Sequence, residues 1–228
     1  MDKKWLIILA VLAVLYWFSK TPTYVDETTA VELKYHIVYP QGGSSGDDMP
    51  MIIALHGNGD TYDNFYNFTL KDLSKEARIV LVEAPNKYWP YAIQPLANYS
   101  AAIANLSANL TDKYSLSKKP ILLGFSGGAV VAYFSALKHC ANYSKIIPIS
   151  GMLKSDMIPA NISMDDNCHV MAFHGKKDTV LSFSSAKYAI DKLKNYSDNV
   201  EFIPYDGGHL GIARDFKPMI LAKIEQNL

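Results

Sequence analysis

Ser126, Asp178 and His209 are the three residue types that together turn a hydroxyl into a nucleophile, and they occur here in that order. A serine hydroxyl reacts poorly at neutral pH until an imidazole takes its proton, and a carboxylate must hold that imidazole's tautomer. Ser126 is centred in Gly124-Phe125-Ser126-Gly127-Gly128, a G-x-S-x-G turn. The apolar run at 121–123 precedes it as a predicted strand, and 129–137 continues as a predicted helix. Strand, tight turn and helix in that order make a nucleophile elbow. Glycines at 124 and 128 remove Cβ atoms where the turn is tightest, leaving Ser126 strained and exposed. The following helix aims its unpaired N–H groups at any anion that develops there.

The partners are expected on loops after later strands. The apolar run at 170–173 is followed by His174-Gly-Lys-Lys-Asp178, and that at 200–203 by Pro204-Tyr-Asp-Gly-Gly-His209. Asp178 and His209 are thus each delivered from the carboxyl end of a predicted strand. An oxyanion hole needs a second N–H donor besides Gly127. His56-Gly57-Asn58-Gly59-Asp60, after the run at 51–55, supplies it through the Asn58 backbone. Alternatives exist for the base and the acid. His174 is a second candidate base, but its place at a strand end suits a packed histidine, and Asp206 is a second candidate acid. His56 reads as a structural residue of the oxyanion loop. His36, His139 and His169 have no partner pattern, and Ser150-Gly151 reads as a turn.

These residues need a frame. Short apolar runs at 51–55, 79–82, 121–123, 146–149, 170–173 and 200–203 alternate with helical stretches near 62–77, 95–112, 128–140, 183–196 and 214–226. That alternation predicts an α/β fold with a mostly parallel, doubly wound sheet and a ligand crevice at the strands' carboxyl ends. The Gly/Ser-rich stretch at 41–48 suits a hairpin-like connection from 32–39 into the strand at 51. Only about sixteen residues, 152–167, separate two of the strands, so no large cap domain is inserted and the site is open. Tyr88, Trp89 and Tyr91, following a strand end, are candidates for the wall of a substrate pocket. With 22 basic and 22 acidic residues the chain has no electrostatic footprint for nucleic acid. It shows no metal-ligand cluster and no dinucleotide or phosphate-binding fingerprint, so no cofactor is implied.

The signatures HGNGD at 56–60, GFSGG at 124–128, HGKKD at 174–178 and GGH at 207–209 run in the order of the α/β-hydrolase superfamily. Over roughly 30–228 the chain resembles its small, cap-less serine esterase branch, the phospholipase/carboxylesterase and acyl-protein-thioesterase-like enzymes. The resemblance implies a carboxylic ester or thioester hydrolase working through an acyl-enzyme, on a small-molecule or lipid-like substrate. Many of those thioesterases carry glutamine where this chain has Gly127, and the loops of their acyl tunnel are not recognisable here. Two readings from other classes stay open: a non-catalytic hydrolase-fold binding module, and an acyltransferase with the same triad. The family's sheet order also places Cys140 and Cys168, the only cysteines, at one sheet end. There they form either a single disulfide or two buried thiols.

Residues 1–20 are expected to lie outside that fold, leaving 21–228 as the catalytic domain. Lys3 and Lys4 precede an uninterrupted apolar run at 5–18. It is shorter than the ~20 residues that cross hydrocarbon comfortably, but Tyr16, Trp17 and Phe18 resemble an interfacial belt. No A-x-A-like cleavage site follows, so the segment reads as an uncleaved signal anchor with the catalytic domain on the exterior side. Cleavage would instead make the protein secreted. Seven N-x-S/T sequons point the same way: Asn67, Asn98, Asn105, Asn109, Asn142, Asn161 and Asn195. Chance predicts about 1.5 from this composition. Asn98, Asn105 and Asn109 fall within about 20° of one line on the predicted helix, away from its apolar stripe.

Overall fold

Five-residue apolar runs without strict alternation bury both of their faces, and here they form the middle of a seven-stranded sheet. A computed structural model describes residues 31–40 and 48–228. The strands are β1 Tyr35–Val38, β2 Met51–Leu55, β3 Arg78–Val82, β4 Ile121–Phe125, β5 Lys145–Ile149, β6 Val170–Gly175 and β7 Val200–Tyr205. Their order is β1-β3-β2-β4-β5-β6-β7, parallel throughout except for β1. The main helices are α1 Ile93–Lys113, α2 Gly127–His139, α3 Phe183–Leu193 and α4 Lys217–Glu225.

The side-chain period of two divides each strand between two cores. Ile53, Leu55 and Leu122 join the cluster formed by α1, α2 and α3, whereas Ile52, Ala54 and Leu123 join the one formed with α4 and Phe65, Leu70 and Leu73. Each face of the sheet is therefore covered, as a parallel sheet requires. After β2 the chain turns to β3 on one side, and after β4 it turns to β5 on the other. The strand order therefore reverses between β2 and β4, the place where open α/β sheets bind their ligands.

Two expectations are corrected. The segment at 32–39 does not pair with β2. Its strand, β1, runs antiparallel to β3, with Tyr35 opposite Val82. Both edges of β2 are already taken by β3 and β4, so β1 adds to the outer edge of β3. The stretch at 62–77 is not one helix but short α, π and 3-10 turns across 62–75. Local side chains compete for its backbone, with Asn67 Nδ2 donating to Asp63 O and Ser74 Oγ to Lys71 O.

The expected anchor at 1–20 and the connection at 41–47 lie outside the described residues. Among the described residues, no helix is long and apolar enough to cross a membrane. Cys140, at the end of α2, is joined to Cys168, just before β6, with Cα atoms 5.6 Å apart. Asn67, Asn105, Asn109, Asn161 and Asn195 are exposed, while Asn98 and Asn142 are half-buried. The hydroxyls that complete two of the sequons on α1 are packed inward. Ser100 Oγ meets Ser135 Oγ of α2 at 2.8 Å, and Ser107 Oγ donates to Asn142 O at 2.8 Å.

Candidate active site

The elbow begins where β4 ends. Ser126 has φ 52° and ψ −112°, outside the regions a side chain prefers, and its amide donates to Ile149 O of β5 at 3.0 Å. Close approach makes this turn possible. A Cβ at Gly124 would lie 2.3 Å from Gly128 O, and one at Gly128 would lie 2.4 Å from Leu55 O. The hydroxyl is thereby raised above the carboxyl edge of the sheet at the start of α2.

The loops after β6 and β7 bring the other two groups to it. His209 Nε2 lies 2.9 Å from Ser126 Oγ, and His209 Nδ1 lies 2.8 Å from Asp178 Oδ2. An ionised carboxylate only accepts, so Nδ1 carries the ring proton and Nε2 accepts from the serine hydroxyl. The other oxygen, Asp178 Oδ1, accepts from the amides of Val180 and Leu181, both at 2.9 Å. Asp178 is buried and fully hydrogen-bonded, whereas His209 keeps an exposed edge. Asp206, the second candidate acid, is instead on the surface, paired with Lys177 at 3.0 Å.

His174 does not reach Ser126. It is wholly buried behind Asp178, with Nε2 2.9 Å from Leu181 O and 3.3 Å from Asp178 Oδ2. Burial lowers its pKa, so the ring is neutral and its contact with Asp178 is dipolar rather than an ion pair. Its Nδ1 has no hydrogen-bond partner among the described residues.

The loop after β2 closes the site on the other side. The amides of Asn58 and Gly127 donate to no other described residue. For Gly127 this follows from its place in the first turn of α2. The loop's shape is held from behind. His56 is buried, with Nδ1 donating to Gly57 O at 2.8 Å and Nε2 accepting from Ala84 N at 3.1 Å. Burial lowers its pKa and keeps Nε2 free of a proton, as that acceptor role demands.

The pocket wall expected at Tyr88, Trp89 and Tyr91 is corrected in its central member. Trp89 is buried at 2 % exposure and belongs to the core. Its indole N–H donates to His56 O at 2.7 Å, its amide donates to Asn58 Oδ1 at 2.8 Å, and its carbonyl accepts from Asn58 Nδ2 at 3.4 Å. An amphipathic indole is more stable filling a core and meeting one carbonyl than facing water. Tyr88 is exposed and lies over Gly59, and Tyr91 is half-buried against the core. The fixed Asn58 side chain also accounts for Gly127, because a Cβ there would lie 2.2 Å from Asn58 Oδ1.

Two residues without a chemical signature in the sequence complete the site. Ser150, read as part of a turn, is buried at φ 51°, with Oγ 3.0 Å from His209 O and 3.2 Å from the Tyr205 hydroxyl. Tyr205 ends β7, and burial raises its pKa. The available signal was positional, since both follow apolar runs at the carboxyl edge. Among the described residues, no group of histidine, cysteine, aspartate and glutamate side chains can hold a metal.

The chain is similar in fold to esterase PE8, at TM-score 0.68 and 21 % identity over 87 % of this chain and 100 % of that one. It is likewise similar to acyl-protein thioesterase 2 of Zea mays, at TM-score 0.65 and 21 % identity over 85 % and 96 %. A carboxylesterase of Bacillus cereus aligns at TM-score 0.64 and 15 % identity over 92 % and 98 %. At these identities the likeness speaks to fold alone. No curated protein matches the sequence. The sequence model described as Phospholipase/Carboxylesterase matches residues 92–220, more than half of the chain and the part that contains Ser126, Asp178 and His209. The chain belongs to that family, and is a carboxylic ester hydrolase of α/β-hydrolase fold.

Proposed function

We propose that the protein cleaves carboxylic esters or thioesters through an acyl-enzyme on Ser126. His209 takes the hydroxyl proton as Ser126 Oγ attacks the acyl carbon, and Asp178 stabilises the imidazolium that forms. The amides of Asn58 and Gly127 bind the tetrahedral oxyanion. His209 then protonates the leaving alcohol or thiol. In the second half it activates water, which attacks the acyl carbon and returns Ser126 with release of the acid. The observation that carries this reading is the unbroken chain from Asp178 Oδ2 through His209 to Ser126 Oγ, at 2.8 and 2.9 Å. Labelling with a fluorophosphonate should map to Ser126. Ser126→Ala should lower turnover of a short-chain p-nitrophenyl ester by ~10³-fold or more. Near-normal turnover in that variant would remove the nucleophile.

We further propose that the catalytic domain, 21–228, works on the exterior side of a membrane and is held there by the apolar segment within 1–20. The Cys140–Cys168 bridge favours an oxidising compartment, and five sequon asparagines are exposed for glycan attachment. Endoglycosidase treatment of natively expressed protein should lower its apparent mass. An unchanged mass would exclude the glycans.

A further inference from the structure

We infer that Ser150 is a positioning residue that sets the distance between nucleophile and base. The inference rests on the reading of Ser126 and His209 given above. Ile149 and Ser150, at the tip of β5, touch all three elements that deliver the triad. Ile149 O accepts the Ser126 amide at 3.0 Å, and the Ser150 amide donates to Phe173 O of β6 at 2.8 Å. The Ser150 hydroxyl, turned the other way, donates to the carbonyl of His209 itself at 3.0 Å. One dipeptide thus holds the backbone of the nucleophile on one side and the backbone of the base on the other.

The hydroxyl's remaining capacity is also used. The Tyr205 hydroxyl lies 3.2 Å from Ser150 Oγ and 3.3 Å from Gly208 O, so its single proton is shared between them. The Tyr205 ring lies under the same loop, close enough that a Cβ at Gly211 would be 2.3 Å from Tyr205 Cε2. The loop that carries His209 is therefore seated on Tyr205 and tied through Ser150 to the strand beside the elbow. Ser150 makes this bond from the left-handed backbone region, at φ 51°, where a residue with a Cβ is strained. Glycine would sit there more comfortably. A serine in that conformation is the expected outcome if its hydroxyl has a task in the site.

The strain supplies the test, because stability and positioning then point in opposite directions. Ser150→Gly relieves the backbone and should melt no lower than the parent chain, while Ser150→Ala keeps the strain and should melt lower than Ser150→Gly. Both lose the bond to His209 O. In both, kcat for p-nitrophenyl acetate should fall about tenfold or more, since small displacements of reacting groups are costly. KM should stay within about twofold, as for a loss felt in the transition state. The rate of fluorophosphonate labelling should fall in parallel. A Ser150→Gly chain with parental kcat, or activities that simply follow melting temperature, would overturn the role of Ser150. Failure of the parent chain to label at Ser126 would instead overturn the triad reading and this inference with it.

Discussion

Gly127 carries the most specific consequence of the site's packing. Asn58 is clamped by both backbone groups of Trp89 and fills the space where a side chain at 127 would begin. Gly127→Gln should therefore push Asn58 off Trp89 and displace the amide proposed above to bind the oxyanion, lowering kcat by about tenfold or more. The double variant Asn58→Gly, Gly127→Gln should recover part of that loss, and steady-state kinetics on the three chains would check it. At the acid, Asp178→Asn should lower kcat far more than Asp206→Asn, because only Asp178 meets His209 while Asp206 faces solvent beside Lys177. The reverse ranking would move the acid. His174→Leu leaves Leu181 O without its side-chain donor and removes a contact from Asp178. Loss of a buried partner of this kind costs roughly 1–3 kcal/mol, measurable by urea unfolding.

Elements explain what could be read from the chain and what could not. Strand, turn and helix around Ser126 lie within seventeen consecutive residues, so the local pattern carries them. Asp178 and His209 each follow a recognisable apolar run, which places them at the same sheet edge once the strands are parallel. The tie between Ser150 and His209 spans 59 residues and joins a side chain to a carbonyl, which no pattern of residue types reveals. Trp89 misled for a related reason. Aromatic residues in a loop can face substrate or core, and only the carbonyl of His56, 33 positions earlier, decides between them. The partner of β1 was obscured because a connection that long fixes no register. The bridge between the end of α2 and the start of β6 closes a loop of 28 residues. Replacing Cys140 and Cys168 by alanine should cost about 2–4 kcal/mol and lower the melting temperature without changing KM.

For the whole molecule, proton uptake sets the stable range. Burial lowers the pKa of His56, His139 and His174 from the ordinary 6.5. Below about pH 6.5 the unfolded chain takes up protons that the folded chain resists, so stability falls as the medium is acidified and is fully present above that range. Urea midpoints should thus drop between pH 7.5 and 5. The drop should be smaller in His139→Gln, where one of the three resisting rings is gone.

Tryptophan occurs in this chain only at positions 5, 17 and 89. The compact unit from Val31 to Leu228 accordingly contains one indole, and that ring is wired to the carbonyl of His56 just behind the Asn58 amide. With phenylalanine at 5 and 17, ultraviolet emission would come from Trp89 alone. Its colour and intensity then become an internal optical gauge of the loop after β2, readable before and after a fluorophosphonate is added.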